Sequence, residues 1–314
     1  MTLTPRLIAM LTLPPLMWAG NAVVGRMTVP HVPPLMLNAI RWGVVLLVLL
    51  VLGRQAIATA ARRGEILARW RPLGLMGLLG VGAYNALQYL ALTTSTPINV
   101  TLIAASMPLW MLLVGAVFYA ERPRSPQVIG AALSLVGVAT VLGRGQLSAL
   151  ADVQFVRGDV YMLAAAASWA GYSWMLARPP ASMRGEARPT ITGADGQRRV
   201  WRWDEALLVQ ALFGVVWAGG AAGLEAVVSS RQPEWSPAVG AAVLYIVIGP
   251  SLIAYALWGR AVAAVGPTTA GIFANLTPLF AALLSTALLG EAPHGYHAVA
   301  FALIVAGILV SSRR

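Results

Sequence analysis

The side chains able to do chemistry are sparse in this chain, and their spacing suits holding a solute better than transforming one. Tyr84, Asn85 and Gln88 fall on one helical face with Tyr89 beside them, and Ser251, Tyr255 and Trp258 recur at i, i+4, i+7. Asn21, Asn275, Trp18, Trp110, Trp169 and Tyr172 lie in otherwise apolar stretches, and Arg41 is the one clear charge inside such a stretch. These groups offer ring faces, amides, hydroxyls and a single cation. Catalysis would need acid, base or nucleophile groups that converge, and none do. Asp159, Asp204, Glu205 and Glu225 fall at predicted helix ends, while Glu121 and Glu291 close two apolar stretches. His294 and His297 are spaced i, i+3 and His31 stands apart, so a metal site would lack ligands. The stretch "GLLGVGAYN" from Gly77 to Asn85 holds a Gly-x-Gly, but inside an apolar run and not at a strand-to-helix turn, so it is no dinucleotide fingerprint. A Walker A sequence is absent, which excludes an ATP-driven pump in this chain. The chain has no Cys, hence no thiolate metal site or cysteine nucleophile. The expectation is a non-enzyme without cofactor or metal.

The elements that position these groups follow from composition. Hydrophobic residues fill 58% of 314 positions and charged residues only 11%, against about 25% in soluble domains. All 22 basic residues are Arg and the net charge is +11. They stand between apolar runs rather than along one stripe, which argues against nucleic acid and for membrane lipid as the partner. Crossing a bilayer core of about 30 Å takes roughly 20 apolar residues. Ten such spans are predicted, near 6–25, 34–53, 73–92, 97–119, 126–143, 159–177, 205–226, 237–259, 267–289 and 295–312. Span 1 follows Arg6 like a signal peptide, but its "MWAGN" is echoed by "SWAGY" at Ser168 to Tyr172, so it belongs to the fold.

The echo extends further. "SMPLWMLLVGAVFYAERP" from Ser106 matches "LTPLFAALLSTALLGEAP" from Leu276, putting Pro108 on Pro278, Glu121 on Glu291 and Pro123 on Pro293 at an offset of 170. The same offset puts Pro97 on Pro267 and Gly137 on Gly307. The chain therefore reads as two copies of one five-span unit, residues 1–150 and 151–314. Trp18 matches Trp169 at an offset of only 151, so the extra residues enter after span 6. There the insert 178–204 carries six arginines, Pro and Gly without an apolar period. It reads as a flexible solvated loop with an amphipathic end at Val200 to Trp203, with anionic-lipid binding as the alternative. Five spans is an odd number, so the second copy must enter the membrane from the opposite side. The span 2–3 loop holds Arg54, Arg62, Arg63, Arg69 and Arg71, whereas its span 7–8 counterpart holds Arg231 alone. Arg122, Arg124, the insert and Arg313-Arg314 are basic as well, so the positive-inside rule puts both termini in the cytoplasm.

The five-plus-five organisation, the paired Pro-Leu…Glu-x-Pro segments, Arg41 in "LNAIRWGVVLL" and the Trp-Ala-Gly-Asn start resemble the drug/metabolite transporter superfamily of the EamA type. The aromatics of spans 1 and 3 are similar to those of YddG-type aromatic amino-acid exporters. The resemblance implies an all-α membrane fold of ten helices as two inverted repeats, in the inner membrane of a bacterium, exporting a small metabolite by alternating access through a central cavity. The substrate-binding candidates are Trp18, Asn21, Arg41, Tyr84, Asn85, Gln88, Trp110, Trp169, Tyr172, Tyr255, Trp258 and Asn275. For each aromatic an interfacial or packing role competes with cargo contact, and for each Asn interhelical bonding does. Arg41 is either a snorkelling side chain or a carboxylate-binding or gating group. Gly80, Pro108, Pro250 and Pro278 are hinge candidates, with close packing as their alternative. The lack of a mid-span carboxylate argues against proton-coupled cation efflux and for neutral or zwitterionic cargo. Neutral and aromatic amino acids are the expected cargo and a monomer the expected state. An exporter of drugs, nucleobases or other metabolites is the alternative, and a non-transporting membrane receptor or assembly protein a further one.

Overall fold

The structure, a computed structural model, describes residues 4–95, 100, 103–143, 145–146, 148, 156–192, 197–289 and 294–311. Pro97, Glu291, Pro293 and the terminal Arg313-Arg314, used above, lie outside the described residues. The chain is helical almost throughout. Among the described residues five helices are long and apolar enough to cross a membrane: α1 (Pro5–Thr28), α2 (Pro34–Leu52), α4 (Trp70–Thr94), α8 (Trp203–Val228) and α9 (Pro237–Val265). Between α2 and α4 lies the short amphipathic α3 (Ala60–Ala68). The remaining helices are α5 (Met107–Tyr119), α6 (Ser125–Leu142), α7 (Arg157–Ala177), α10 (Pro267–Ala274), α11 (Leu276–Leu289) and α12 (Gly295–Ser311). Their ends carry local signals. Thr4 Oγ1 accepts the Leu7 N–H ahead of Pro5, and Ser236 Oγ accepts that of Val239 ahead of Pro237.

Two of the continuous apolar runs are broken, and proline is the reason. The chain turns at Ser106 and at Asn275, whose N–H groups reach back three residues to Ile103 O and Ile272 O. Pro108 and Pro278 have no N–H for the carbonyls of Ala104 and Ala274, so each helix restarts at the turn. A different irregularity interrupts α4 and α9, where Leu78–Ala83 and Val247–Ile253 are wound as π-helix. These segments hold Gly80 and Pro250, which the sequence repeat superimposes.

α6 lies on α12 and α2 on α8, helices at matching places in the sequence echo, and α5 lies on α10. The α6–α12 contact is made by small residues: a Cβ on Gly130 would sit 2.5 Å from Gly307 O, and one on Gly137 2.9 Å from Ala300 O. Residue numbers rise on one helix as they fall on the other, so the two run antiparallel. The α2–α8 pair is antiparallel too. The start of α2 gives the Leu35 and Met36 N–H groups to Glu225 near the end of α8, and Gly53 beyond α2 abuts Asp204 at the start of α8.

The insert is a correction to the sequence reading. It is built, and docked on the bundle. Thr190–Thr192 and Arg198–Val200 form a short antiparallel hairpin, β1 and β2, after two 3₁₀ turns. Arg62 donates to Thr192 O at 2.9 Å, and Arg69 to Ser182 O at 3.0 Å and Ala187 O at 3.3 Å. At its Val200 to Trp203 end Trp201 and Trp203 pack against the core while Arg202 is exposed, and Trp203 opens α8, where Glu205 accepts the Arg202 N–H and pairs with Arg199. The insert, the α2–α4 loop and the Arg178–Glu121 pair thus gather at one, arginine-rich end of the bundle. At the other end His31 meets Glu234, and Arg231 donates to Val29 O and Pro30 O.

Candidate functional site

The two π segments set the site. Winding at i→i+5 frees carbonyls from the α ladder, and buried carbonyls need donors. Ser168 Oγ donates to Leu79 O at 2.7 Å, Tyr255 OH to Gly80 O at 2.5 Å and Asn38 Nδ2 to Val81 O at 3.2 Å. In α9, Pro250 cannot serve the carbonyl four residues back, and Ser251 Oγ takes that Ile246 oxygen at 2.7 Å. Trp18 Nε1 donates to Pro250 O at 3.3 Å.

Two of those donors, Tyr255 and Trp18, belong to an aromatic layer across the middle of the bundle. Trp169 is its hub, with ring centroids 5.2 Å from Trp18, 4.9 Å from Tyr84, 5.2 Å from Tyr172, 5.2 Å from Tyr255 and 5.7 Å from Trp258. Edge-on and tilted contacts dominate, as ring quadrupoles favour. Trp258 Nε1 donates to Ser173 Oγ, and Tyr172 OH donates to Gln210 Oε1 at 2.9 Å. Gly80 makes this layer possible, because a Cβ there would lie 2.7 Å from the Tyr172 ring.

Arg41 is fully buried, which excludes the snorkelling alternative. Its Nε donates to Ser251 Oγ at 2.6 Å, and its Nη1 to Asn85 Oδ1 at 2.8 Å and Tyr89 OH at 3.2 Å. Tyr89 OH passes on to Asn21 Oδ1, and Asn85 Nδ2 to Tyr255 OH. One cation thus ties α2, α4 and α9 together around the π segments, with no carboxylate against it among the described residues. Among the described residues its Nη2 has no hydrogen-bond partner; neither do Asn38 Oδ1, Trp42 Nε1 or either amide atom of Asn275.

Two cavities flank the layer. One of about 60 Å³ is lined by Trp18, Tyr84, Gln88, Trp169, Thr277 and Pro278, on the side away from the insert. The other, about 770 Å³, lies at the arginine-rich end and reaches Tyr172, Tyr255 and Gln210 of the layer. Trp18, Asn21, Arg41, Tyr84, Asn85, Gln88, Trp169, Tyr172, Tyr255 and Trp258 therefore form one neighbourhood. Asn275 is buried at the α10–α11 break beside the small cavity, between its lining residues Ala274 and Thr277. Trp110 is half-buried and shares no ring contact with the layer among the described residues. Pro108 is buried where α5 meets α10. Sequence reasoning passed over Asn38, Trp42, Ser168, Ser173 and Gln210. Of these Gln210, a lone amide in an apolar run, carried a readable signal.

Comparisons with known proteins agree with this architecture. The sequence model of the EamA-like transporter family matches residues 6–143 and 201–313. An uncharacterized transporter of Archaeoglobus fulgidus is 24% identical over 97% of this chain and 96% of its own. The aromatic amino acid exporter YddG of Ancylobacter novellus is 28% identical over 95% and 93%. A probable terminal-alkyne amino-acid exporter of Streptantibioticus cattleyicolor is 26% identical over 77% and 73%. A solved crystal structure superimposes with a TM-score of 0.68 at 24% identity, covering 96% of this chain and 94% of that one. With the family pattern matched over both halves, the chain belongs to the EamA-like transporter family.

Proposed function

We propose that the protein exports neutral amino acids, aromatic ones among them, across a bacterial inner membrane by alternating access through the aromatic layer. The observation that carries this reading is the layer itself, with unequal cavities on its two faces. A cavity of 60 Å³ is too small for a solute, whereas 770 Å³ lies within the roughly 300–1,000 Å³ of ordinary ligand sites. The conformation is thus open toward the arginine-rich end, which the positive-inside rule assigns to the cytoplasm along with both termini. Ten crossings as two inverted repeats are supported by the antiparallel packing of equivalent helices and by π segments at equivalent heights. Ring faces would receive the side chain. Asn275 and the Ala104 and Ala274 carbonyls that Pro108 and Pro278 cannot serve would receive the ammonium, and the Nη2 of Arg41 the carboxylate. Two relatives named as amino-acid exporters point the same way. The test is counterflow in proteoliposomes, with phenylalanine, threonine and methionine competing against an organic cation and a nucleobase. Amino acids should compete best. If the cation wins and they do nothing, drug efflux replaces this reading, and no counterflow of any solute would mean a non-transporting protein.

A further inference from the structure

The larger cavity is walled at its mouth by arginines from three places in the sequence: Arg188 of the insert, Arg202 just before α8 and Arg260 of α9. No Asp or Glu lines it among the described residues. Arg202 is answered by Asp204 at 2.7 Å, but Arg188 and Arg260 have no ion pair among the described residues. Trp201 and Trp203 stand beside these cations, and the floor is the uncharged Tyr172, Tyr255 and Gln210. Arg188 and the hairpin occupy residues that the family model leaves unmatched, between 143 and 201. The roof thus lies in a stretch that the family model does not describe, as α7 does. It is held there by Arg62 and Arg69, so its position over the mouth is built in.

We propose that the insert and α9 together form an anion-selective entry site, in which Arg188 and Arg260 capture the carboxylate of the cargo before its side chain reaches the aromatic layer. A cleft walled by one sign of charge raises the local concentration of the opposite ion, and a low-dielectric floor focuses the field. A zwitterion entering carboxylate-first has its ammonium trailing toward solvent and its side chain led along Trp201 and Trp203. An amine without a carboxylate is repelled at the mouth. The cargo named rests on the export reading above; the charge selectivity does not.

The chain has no Cys, so Ala256→Cys, on the cavity wall next to Tyr255, provides a single reporter thiol. Its modification by an anionic sulfonatoethyl and a cationic trimethylammonioethyl methanethiosulfonate is measured in phosphatidylcholine vesicles, normalised to a free thiol. The anionic reagent should react about tenfold faster. Arg188→Gln with Arg260→Gln should bring the ratio near one, and Lys at both positions should restore it. Phenylalanine should slow the labelling and phenethylamine should not. Equal rates in the parent, or a preference that survives the double Gln variant, overturns the proposal. A preference that vanishes when phosphatidylglycerol is added makes the cleft a lipid-headgroup site and overturns cargo capture. Anion preference with phenylalanine protection, but without counterflow of any amino acid, would uphold the entry site and remove the export reading.

Discussion

Gly80→Ala is the smallest change that tests whether the π segment of α4 and the aromatic layer form one unit. The added Cβ would lie 2.7 Å from two atoms of the Tyr172 ring. That ring has no retreat: its hydroxyl is held by Gln210 at 2.9 Å and its faces meet Trp169 and Tyr255. Forcing one methyl into such a site costs about 1–3 kcal/mol. At a helical glycine facing open space the same change stabilises by about 0.4–1 kcal/mol. Gly259, in α9, is such a position, with nothing within 4 Å of its would-be Cβ. Gly80→Ala and Gly259→Ala should therefore differ by about 1.4–4 kcal/mol, from these two ranges. Tyr172→Ala is costly alone, but on that background Gly80→Ala should be harmless, a coupling of up to about 3 kcal/mol in a double-mutant cycle. The assay is denaturation of the purified protein in micelles, with phenylalanine counterflow read in parallel. If Gly80→Ala melts like Gly259→Ala, or its cost is unchanged when the Tyr172 ring is gone, the packing argument is wrong.

In intact cells a thiol at Ser230→Cys should react with an impermeant maleimide and one at Glu186→Cys should not; the reverse pattern would invert the topology. Alanine at Tyr84, Trp169 or Tyr172 should weaken phenylalanine affinity by about 1 kcal/mol per lost ring contact. Trp70→Ala and Trp235→Ala, whose side chains are exposed at 57% and 58%, should leave affinity alone, and equal losses in both sets would make the layer structural only. Glu234→Gln breaks an ion pair with His31 whose partners are 75% and 51% exposed, so stability should move by less than about 1 kcal/mol.

Much of this was legible in the residue order because membrane folds must satisfy the backbone within each segment. The apolar runs follow from that demand, whereas the breaks before Pro108 and Pro278 fall inside spans read as continuous. The pairing of Gly130 with Gly307 and Gly137 with Ala300 is what an offset of 170 produces when equivalent helices meet antiparallel. Arg41 could be singled out by cost alone, since a charge there needs partners. Which partners could not be read: Ser251 stands 210 positions away and is brought near only by packing. The π segments were hidden for the same reason, since their carbonyls are satisfied by side chains as distant as Tyr255 from Gly80. The hairpin of the insert was missed because strands of three residues carry no periodicity. Its order comes from Arg62 and Arg69 on another loop.

The latching of the π segments leads to the last prediction. Gly80 O is held by Tyr255 from the second half of the chain, and Pro250 O by Trp18 from the first. Each irregular turn is thus closed by a ring from the other half of the chain, and both rings contact Trp169. A solute stacking among these rings cannot displace them without releasing a carbonyl of the π-wound turns of α4 or α9. Tyr255→Phe and Trp18→Phe each keep a ring and remove one such bond. Leaving a buried carbonyl unpaired costs at least about 1 kcal/mol. We predict that this cost falls on the conformer described here, open at the arginine-rich end. Each variant should then shift the equilibrium about fivefold away from it, and the two together about twentyfold or more. Thr277→Cys beside the small cavity would be labelled faster by up to that factor, while the Ala256→Cys thiol in the large cavity would be labelled more slowly in proportion to the population its conformer loses. If both rates stay at the parent values in the double variant, the ring-to-carbonyl bonds do not hold the hinges, and Gly80 and Pro250 are packing residues.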